Sequence, residues 1–536
     1  MAIKVAFIGA GSVGFTRRLA LDILTVPELQ DTRFALHDIN KQNLDMVAQL
    51  LRKDIKANKL PAKLTTATQR RRALEGADYV INCTRIGGLE AFETDIEVPL
   101  KYGIDQCVGD TLCAGGIMYG QRNIPQILAF SRDALEVGND ECLMLNYANP
   151  MAMNTWAALD ACDAGEGVDC VGLCHGVQGG HRQIATVLAH LHGDEDELKQ
   201  RGPKDMVEII CAGINHQTWY TDVRYKGRAV EVDELIEAFE AHPKISKTEK
   251  IRIDVLKRFG AYSTESNGHL SEYVPWYRKR PKEIRKWIDL ASWINGETGG
   301  YLRVCKEGRR WFETDFPRWL EEAGEPIDPA KRSHEHGSYI IESLETGRPY
   351  RGHFNVRNNG VIANLPADCI VEAPGWVDRF GINMVDNLEL PQACAATCMA
   401  SVNVQRMAKD AAMAADVMML KQAMLHDPLT AAVCNPPEVW QMADEMLIAG
   451  EPWLPQYKHA GEIDAARRRL AEHEAAGTRV KTRDWQGAAR IRTRDVDELR
   501  KAREASVLEA DKAAAKREKD GKTKKAKRPV NPKVGL

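Results

Sequence analysis

The sequence predicts an α/β fold with a doubly wound parallel sheet, and three features carry that prediction. β-branched and aromatic runs alternate with amphipathic stretches from residue 1 to about 200. The first run, Ile3-Lys4-Val5-Ala6-Phe7-Ile8, leads straight into Gly9-Ala10-Gly11-Ser12-Val13-Gly14-Phe15-Thr16, and apolar residues at helical spacing follow from Arg17 to Leu24. The next strand-like run, Phe34-Ala35-Leu36-His37, ends in an acid, Asp38. Strand, glycine turn and helix are the context in which G-x-G-x-x-G specifies a dinucleotide-binding turn.

Each part of the turn has a physical task. Gly9 permits the tight bend, Gly11 lets the backbone approach a pyrophosphate, and Gly14 lets the helix pack on the strand. Free N–H groups at the helix start then face the phosphates. Ser12, Phe15 and Asn146 complete the expected cofactor contacts. Asp38 stands 24 residues beyond the last glycine, close to the distance of roughly 20 at which an acid holds an adenosine ribose and favours NAD over NADP.

Further strands are expected at Ala77–Cys83, Glu141–Tyr147, Val168–Leu173 and Met206–His216. Several end in polar residues: Asn82, Asn146 to Asn149, and Cys174-His175. Open α/β sheets bind ligands at such carboxyl ends. Trp276 to Trp319 is a mixed, aromatic-rich region. Ser338 to Gly360 reads as helix, turn and strand, and 391–426 as long helices rich in Ala and Met, a core or subunit interface. The expected organisation is a Rossmann-like NAD-binding domain over 1–200, an α+β substrate, metal and oligomerisation domain over 201–455, and a charged, partly helical and partly disordered tail over 456–536.

The chain has 536 residues, 44% hydrophobic content and a net charge of −3, which allows sizeable cores and gives no nucleic-acid signature. The basic run Lys522–Pro529 leaves a nucleic-acid contact as the least favoured reading. No apolar run is long enough to span a membrane, and no signal core precedes the first strand, so a cytoplasmic protein is expected. Most of the 13 cysteines read as core thiols.

Two residues stand out after apolar strand-like runs: Cys174 in Gly172-Leu173-Cys174-His175-Gly176-Val177, and His216 in Gly213-Ile214-Asn215-His216-Gln217-Thr218-Trp219. A thiolate and an imidazole together suit a divalent metal with open positions. From spacing alone a core thiol and a hydrogen-bonded histidine is the stronger reading.

Several ordered motifs change that balance. They are the glycine turn with Ser12 and Thr16, Asp110-Thr111 with Gly115-Gly116-Ile117, Asn146-Tyr147-Ala148-Asn149-Pro150-Met151, Cys174-His175-Gly176-Val177, and Asn215-His216-Gln217-Thr218-Trp219. Together they resemble glycoside hydrolase family 4, the NAD- and Mn-dependent glycosidases. Gly268-His269-Leu270-Ser271-Glu272-Tyr273-Val274-Pro275-Trp276 and Asn355-Val356-Arg357-Asn358-Asn359-Gly360 resemble its α-galactosidase and α-uronidase members. The resemblance runs from residue 1 to about 455. It implies that Cys174 and His216 hold Mn²⁺ or another divalent cation, with Asn149 near the substrate hydroxyls. It points to Tyr273 as the base, with His269 and Tyr277 as rivals. His175 stands where phospho-glycosidase members carry Asp or Asn, which points away from sugar phosphates. It leaves His175 and Asp110 as candidate acids. Cys113 stands where a glycine is expected.

The resemblance also implies a mechanism. Bound NAD takes a hydride from C3 of the sugar, and the metal polarises the resulting ketone. A tyrosinate then removes the C2 proton, and the C1 leaving group is eliminated. Water adds, and the hydride returns with no net redox change. His269 and Arg357 are the remaining expected substrate contacts, Arg357 as a partner for a uronate carboxylate. An unphosphorylated α-galactoside is the expected substrate, with α-glucuronide or α-galacturonide next. A homodimer or homotetramer is expected. The alternative is an NAD-dependent 2-hydroxy-acid dehydrogenase of the lactate/malate type.

Overall fold

The computed structural model describes residues 2–288, 296–322 and 324–505. Six strands come first: β1 (Lys4–Ile8), β2 (Arg33–His37), β3 (Lys63–Ala67), β4 (Tyr79–Asn82), β5 (Leu143–Asn146) and β6 (Asp169–Gly172). They are parallel and lie in the order β3-β2-β1-β4-β5-β6, the order of a dinucleotide-binding sheet. The switch in strand order falls between β1 and β4. There the loop after β1 meets the loop after β4 so closely that a Cβ on Gly9 would lie 2.9 Å from the Cys83 and Thr84 backbone. Gly9 also has φ +86°, so two independent constraints select glycine.

The sheet does not stop at β6. The later strands are β7 (Val207–Ile214), β8 (Gln217–Tyr225), β9 (Arg228–Ala229), β10 (Tyr262–Ser263), β11 (Tyr350–Arg357), β12 (Ile370–Asp378) and β13 (Gly381–Met384). The hairpin β11–β12 lies between β6 and β7, antiparallel to both, and β8 and β10 continue the edge. One register line crosses this join. Gly172 faces Asn355, Asn355 faces Glu372, and Glu372 faces Gly213. The ends of β6 and β7, which lead to Cys174 and His216, are thereby locked to one another.

One sheet thus runs through the segments 1–200 and 201–455. Contacts group residues 1–302 with 324–491, and a second small unit comprises 303–323 and 492 onward. In that second unit Arg494 pairs with Glu307 at 2.6 Å, and Trp311 stacks on Trp319.

A helical core behind the sheet joins Ile117, Val404, Ala408, Leu420, Met442 and Tyr457. The long helical stretch is broken at Ala415 (φ +53°), where Asp416 accepts the Met419 N–H and starts a second helix. The expected tail is corrected in its first part. The helix Glu462–Ala475 buries Ile463, Ala466 and Leu470, a stripe at helical spacing within a charged sequence. Beyond it, Val480 N–H bonds Gln441, Arg483 N–H bonds the Lys101 carbonyl, and Ala488 N–H bonds Asp105. The basic run Lys522–Pro529 lies outside the described residues. Among the described residues no helix is long and apolar enough to cross a membrane. No disulfide joins any of the 13 cysteines, all of which lie among the described residues, and most are buried.

Candidate active site

The cofactor cleft lies at the carboxyl ends of β1 and β2. His37 carbonyl accepts from Gly9 and Ala10 N–H, at 3.0 and 2.9 Å, and fixes the turn against β2. Asp38 accepts from Gly11 N–H at 2.8 Å through one oxygen, and from Asn40 N–H at 2.8 Å through the other. The acid is therefore seated on the glycine turn, as a ribose-binding carboxylate requires. Ser12 is exposed at the helix start, and Phe15 packs edge-on against Tyr147 at 4.7 Å.

Two expectations about the cleft are corrected. Gly14 is exposed, and a Cβ there would meet nothing within 4 Å. It leaves space rather than allowing tight helix–strand packing. Asn146 is fully buried, with its amide spent on Asn82, Ala148 and Thr155. It shapes the loop after β5 and presents no free group to a ligand.

The second part of the site is a polar cluster above β6 and β7. Cys174 follows β6, and His216 sits in the two-residue turn between β7 and β8. The Cys174 Sγ, a His216 ring nitrogen and a Glu265 carboxylate oxygen all lie within 4.8 Å of one another. So do Asp110, His216 and His269 ligand atoms. Cys174 Sγ is 3.6 Å from Glu265 Oε1, and His216 Nε2 is 3.8 Å from the same oxygen. Glu265 lies close against Gly176: a Cβ there would lie 1.9 Å from the carboxylate, which would have to swing aside. His216, Glu265 and Cys113 have φ of +63°, +50° and +61°. Two of these, His216 and Glu265, belong to the cluster, and non-glycine residues in the left-handed region are strain of the kind functional sites hold. For Cys113 this also explains why glycine suits the position.

Burial, then the charges of Glu265 and Glu372, raises the Cys174 thiol well above its ordinary pKa. Burial alone would raise Glu265 too, but the neighbouring His216, His269 and His175 outweigh it and hold the carboxyl at about 2. A thiol, an imidazole and an ionised carboxylate converging in a buried pocket fit a divalent cation, with Cys174 and His216 as the soft and borderline donors.

Tyr273 brings its Oη to 3.3 Å from His216 Nδ1, and its ring lies parallel to the imidazole. Burial, then Asp110 and Glu272, raises its pKa well above the ordinary value. Its rival Tyr277 faces elsewhere and donates to Asp254 at 2.6 Å. Asp110 accepts from Asn149 Nδ2 at 2.8 Å, so Asn149 borders the cluster. His269 bonds Ser266 Oγ at 2.7 Å and lies 3.8 Å from Glu265. His175 stands apart at the start of the helix Gly176–His192, its side chain 69% exposed and 3.7 Å from Glu335. Arg357 is corrected as a substrate contact. Its guanidinium pairs with Asp160 and Asp163, each at 2.9 Å, and with the Asp368 carbonyl. Two acids at the end of the helix Met151–Asp163 hold it in a structural role.

Sequence reasoning missed Glu265, which adjoins the His269 motif but carries no signal of its own. It also gave no role to Glu272. That buried carboxylate accepts the N–H groups of Cys107, Val108 and Gly109 and so holds the loop that carries Asp110.

A dinucleotide-type sheet carrying a thiol–imidazole–carboxylate cluster beside a tyrosine is the arrangement of a cofactor-dependent enzyme, with donor atoms placed so that they fit a metal ion. Residues 4–190 match the family model for family 4 glycosyl hydrolases, and 211–430 match that family's C-terminal domain. The chain is 60% identical to an α-galactosidase of Rhizobium meliloti (strain 1021), over 95% of this chain and 99% of that protein. It is 32% identical to an α-galactosidase of Bacillus subtilis (strain 168), over 85% and 100%. An α-galacturonidase of Thermoanaerobacterium saccharolyticum is 26% identical over 85% and 97%. The crystal structure of a Thermotoga maritima 6-phospho-β-glucosidase with manganese, NAD⁺ and glucose-6-phosphate has a TM-score of 0.66 at 21% identity, covering 84% of this chain and 99% of that one. A 6-phospho-α-glucosidase from gut microorganisms, with NAD and glucose-6-phosphate, gives 0.67 at 24%, covering 84% and 99%. The chain belongs to the family 4 glycosyl hydrolases. The dehydrogenase alternative falls with that membership.

Proposed function

We propose that this chain is an NAD- and Mn²⁺-dependent α-galactosidase, its metal held by Cys174 and His216. The observation that carries the reading is the convergence of Cys174, His216 and Glu265 donor atoms within 4.8 Å, with Tyr273 beside them. The α-galactosidase names of the two relatives at 60% and 32% identity support the substrate. An α-uronide is the second reading, supported by the α-galacturonidase relatives. The engagement of Arg357 by two aspartates weakens it, since no carboxylate receptor remains there.

When bound, NAD and the cation supply a temporary hydride acceptor for sugar C3 and a Lewis acid for the carbonyl so formed. The protein's own residues do the rest. Asp38 and the Gly9–Gly14 turn hold the dinucleotide. Asn149 and Asp110 orient the sugar hydroxyls. Tyr273, as the tyrosinate that a cation held beside it at His216 would favour, takes the C2 proton at Oη. His175 or Asp110 protonates the leaving oxygen, His175 from an exposed position open to an aglycone. His269 lines the sugar pocket. A homodimer or homotetramer is part of this reading, supported by the exposed apolar residues Trp376 and Phe380 on the β12–β13 hairpin. Free thiols throughout support a cytoplasmic location.

The test is release of nitrophenol from aryl α-galactoside, α-glucuronide and α-galacturonide, with NAD⁺, Mn²⁺ and a reductant. Release from the galactoside alone is expected. Preference for a uronide moves the assignment to the second reading, and no release from any of the three overturns both.

A further inference from the structure

His216 has two ring nitrogens, and a threonine decides which of them carries the proton. Thr111 Oγ1 lies 2.9 Å from His216 Nδ1 and donates its own proton to Asp110 Oδ1 at 3.0 Å. A hydroxyl has one proton to give. With that proton on the Asp110 bond, Oγ1 meets the imidazole as an acceptor, so Nδ1 bears the hydrogen. The lone pair is left on Nε2, the nitrogen that faces Glu265 at 3.8 Å on the side shared with Cys174. The other Asp110 oxygen accepts from Asn149 at 2.8 Å. Thr111 and Asp110 are 1% and 2% exposed, so bulk water does not compete for these bonds.

We infer that Thr111 is a positioning residue for the cation: it fixes His216 in the tautomer that offers Nε2, and through Asp110 it ties the ring to Asn149. The inference rests on the proposed metal reading and deepens it. The fixed Nδ1–H also lies 3.3 Å from Tyr273 Oη, so the same hydroxyl sets the donor beside the phenol. Partners of this kind orient metal-bound histidines, and their loss typically weakens metal binding by about 10–100-fold.

The test is Mn²⁺ affinity by electron paramagnetic resonance on the full-length, NAD⁺-saturated protein, with NAD⁺ affinity measured in parallel as a check on folding. Thr111→Val keeps the shape and removes the hydroxyl; it is expected to weaken Mn²⁺ binding about 10–100-fold at unchanged NAD⁺ affinity. Thr111→Ser is expected to restore binding to near the parent value. Asp110→Ala gives a second route, because it removes the acceptor of the Thr111 proton and frees that proton to turn to His216 Nδ1; the same direction is expected. Parent-like Mn²⁺ affinity in Thr111→Val overturns the inference. So does equal weakening in Thr111→Ser, which would show that packing, not the hydroxyl, matters. If Thr111→Val does not fold, parent-like affinity in Asp110→Ala overturns it instead. His216→Ala is the control for the underlying reading. Retained Mn²⁺ binding there shows that the metal assignment itself has failed, and this inference with it.

Discussion

His353 is a buried imidazole whose Nε2 has no partner, and its environment makes a pH prediction. Burial first, then His336, Arg351 and His181, pushes its pKa down to about 3. Burial, Lys204 and His175 do the same to His336. Both are neutral when folded and take up protons near pH 6.5 when unfolded. Their folded pKa is the lower one, so stability is full above about pH 6.5 and declines as pH falls toward 3. At pH 5 the loss is ~2 kcal/mol for each ring, from 1.36 kcal/mol per pH unit. His353→Phe is expected to shrink the difference in melting temperature between pH 7 and pH 5, read by differential scanning fluorimetry. An unchanged difference refutes the assignment of that acid sensitivity. At the same scale, Cys174→Ala and His216→Ala are expected to lower galactoside cleavage at least about 100-fold, or ~2.7 kcal/mol of transition-state stabilisation. Wild-type rates in either would sink the proposed metal centre.

Among the elements, the sequence made the parallel strands readable because they are buried on both faces. β1, β2 and β4 are near-continuous apolar runs, and each ends where the glycine turn, Asp38 or Asn82 begins. β3 was not legible. Its sequence, Lys-Leu-Thr-Thr-Ala, is polar and half-exposed because it forms the outer edge of the sheet. The placement of β11 and β12 between β6 and β7 was equally hidden, since pairing between distant segments leaves no local pattern. Cys174, His216 and Tyr273, picked out by their motifs, are brought together by the fold. Glu265 was not legible, because only the fold sets its carboxylate beside Cys174 and His216. The charged helix Glu462–Ala475 misled for a related reason: three apolar residues among many charges are a weak signal, yet they suffice to seat it. Ile463→Ala is expected to cost about 2–5 kcal/mol, measured by chemical denaturation at constant m-value. A cost under about 0.5 kcal/mol would mean the helix is solvated.

For the whole molecule, the proposed cycle returns its hydride within each turnover. Continuous cleavage of an aryl α-galactoside is therefore expected with no net rise in absorbance from NADH, and with full loss of activity on chelation, restored by Mn²⁺. Stoichiometric accumulation of NADH with product would refute the cycle. The continuous sheet has a consequence for how the enzyme comes into being. Residues 350–378 supply the two strands that separate β6 from β7. A ribosome has therefore released both Cys174 and His216 long before the spacer that sets their separation exists. An isolated amino-terminal half would carry the thiol on an unfinished sheet margin. The pocket should thus be born late in synthesis, all at once, and protection of Cys174 from alkylation should arrive only when the nascent chain extends past Asp378.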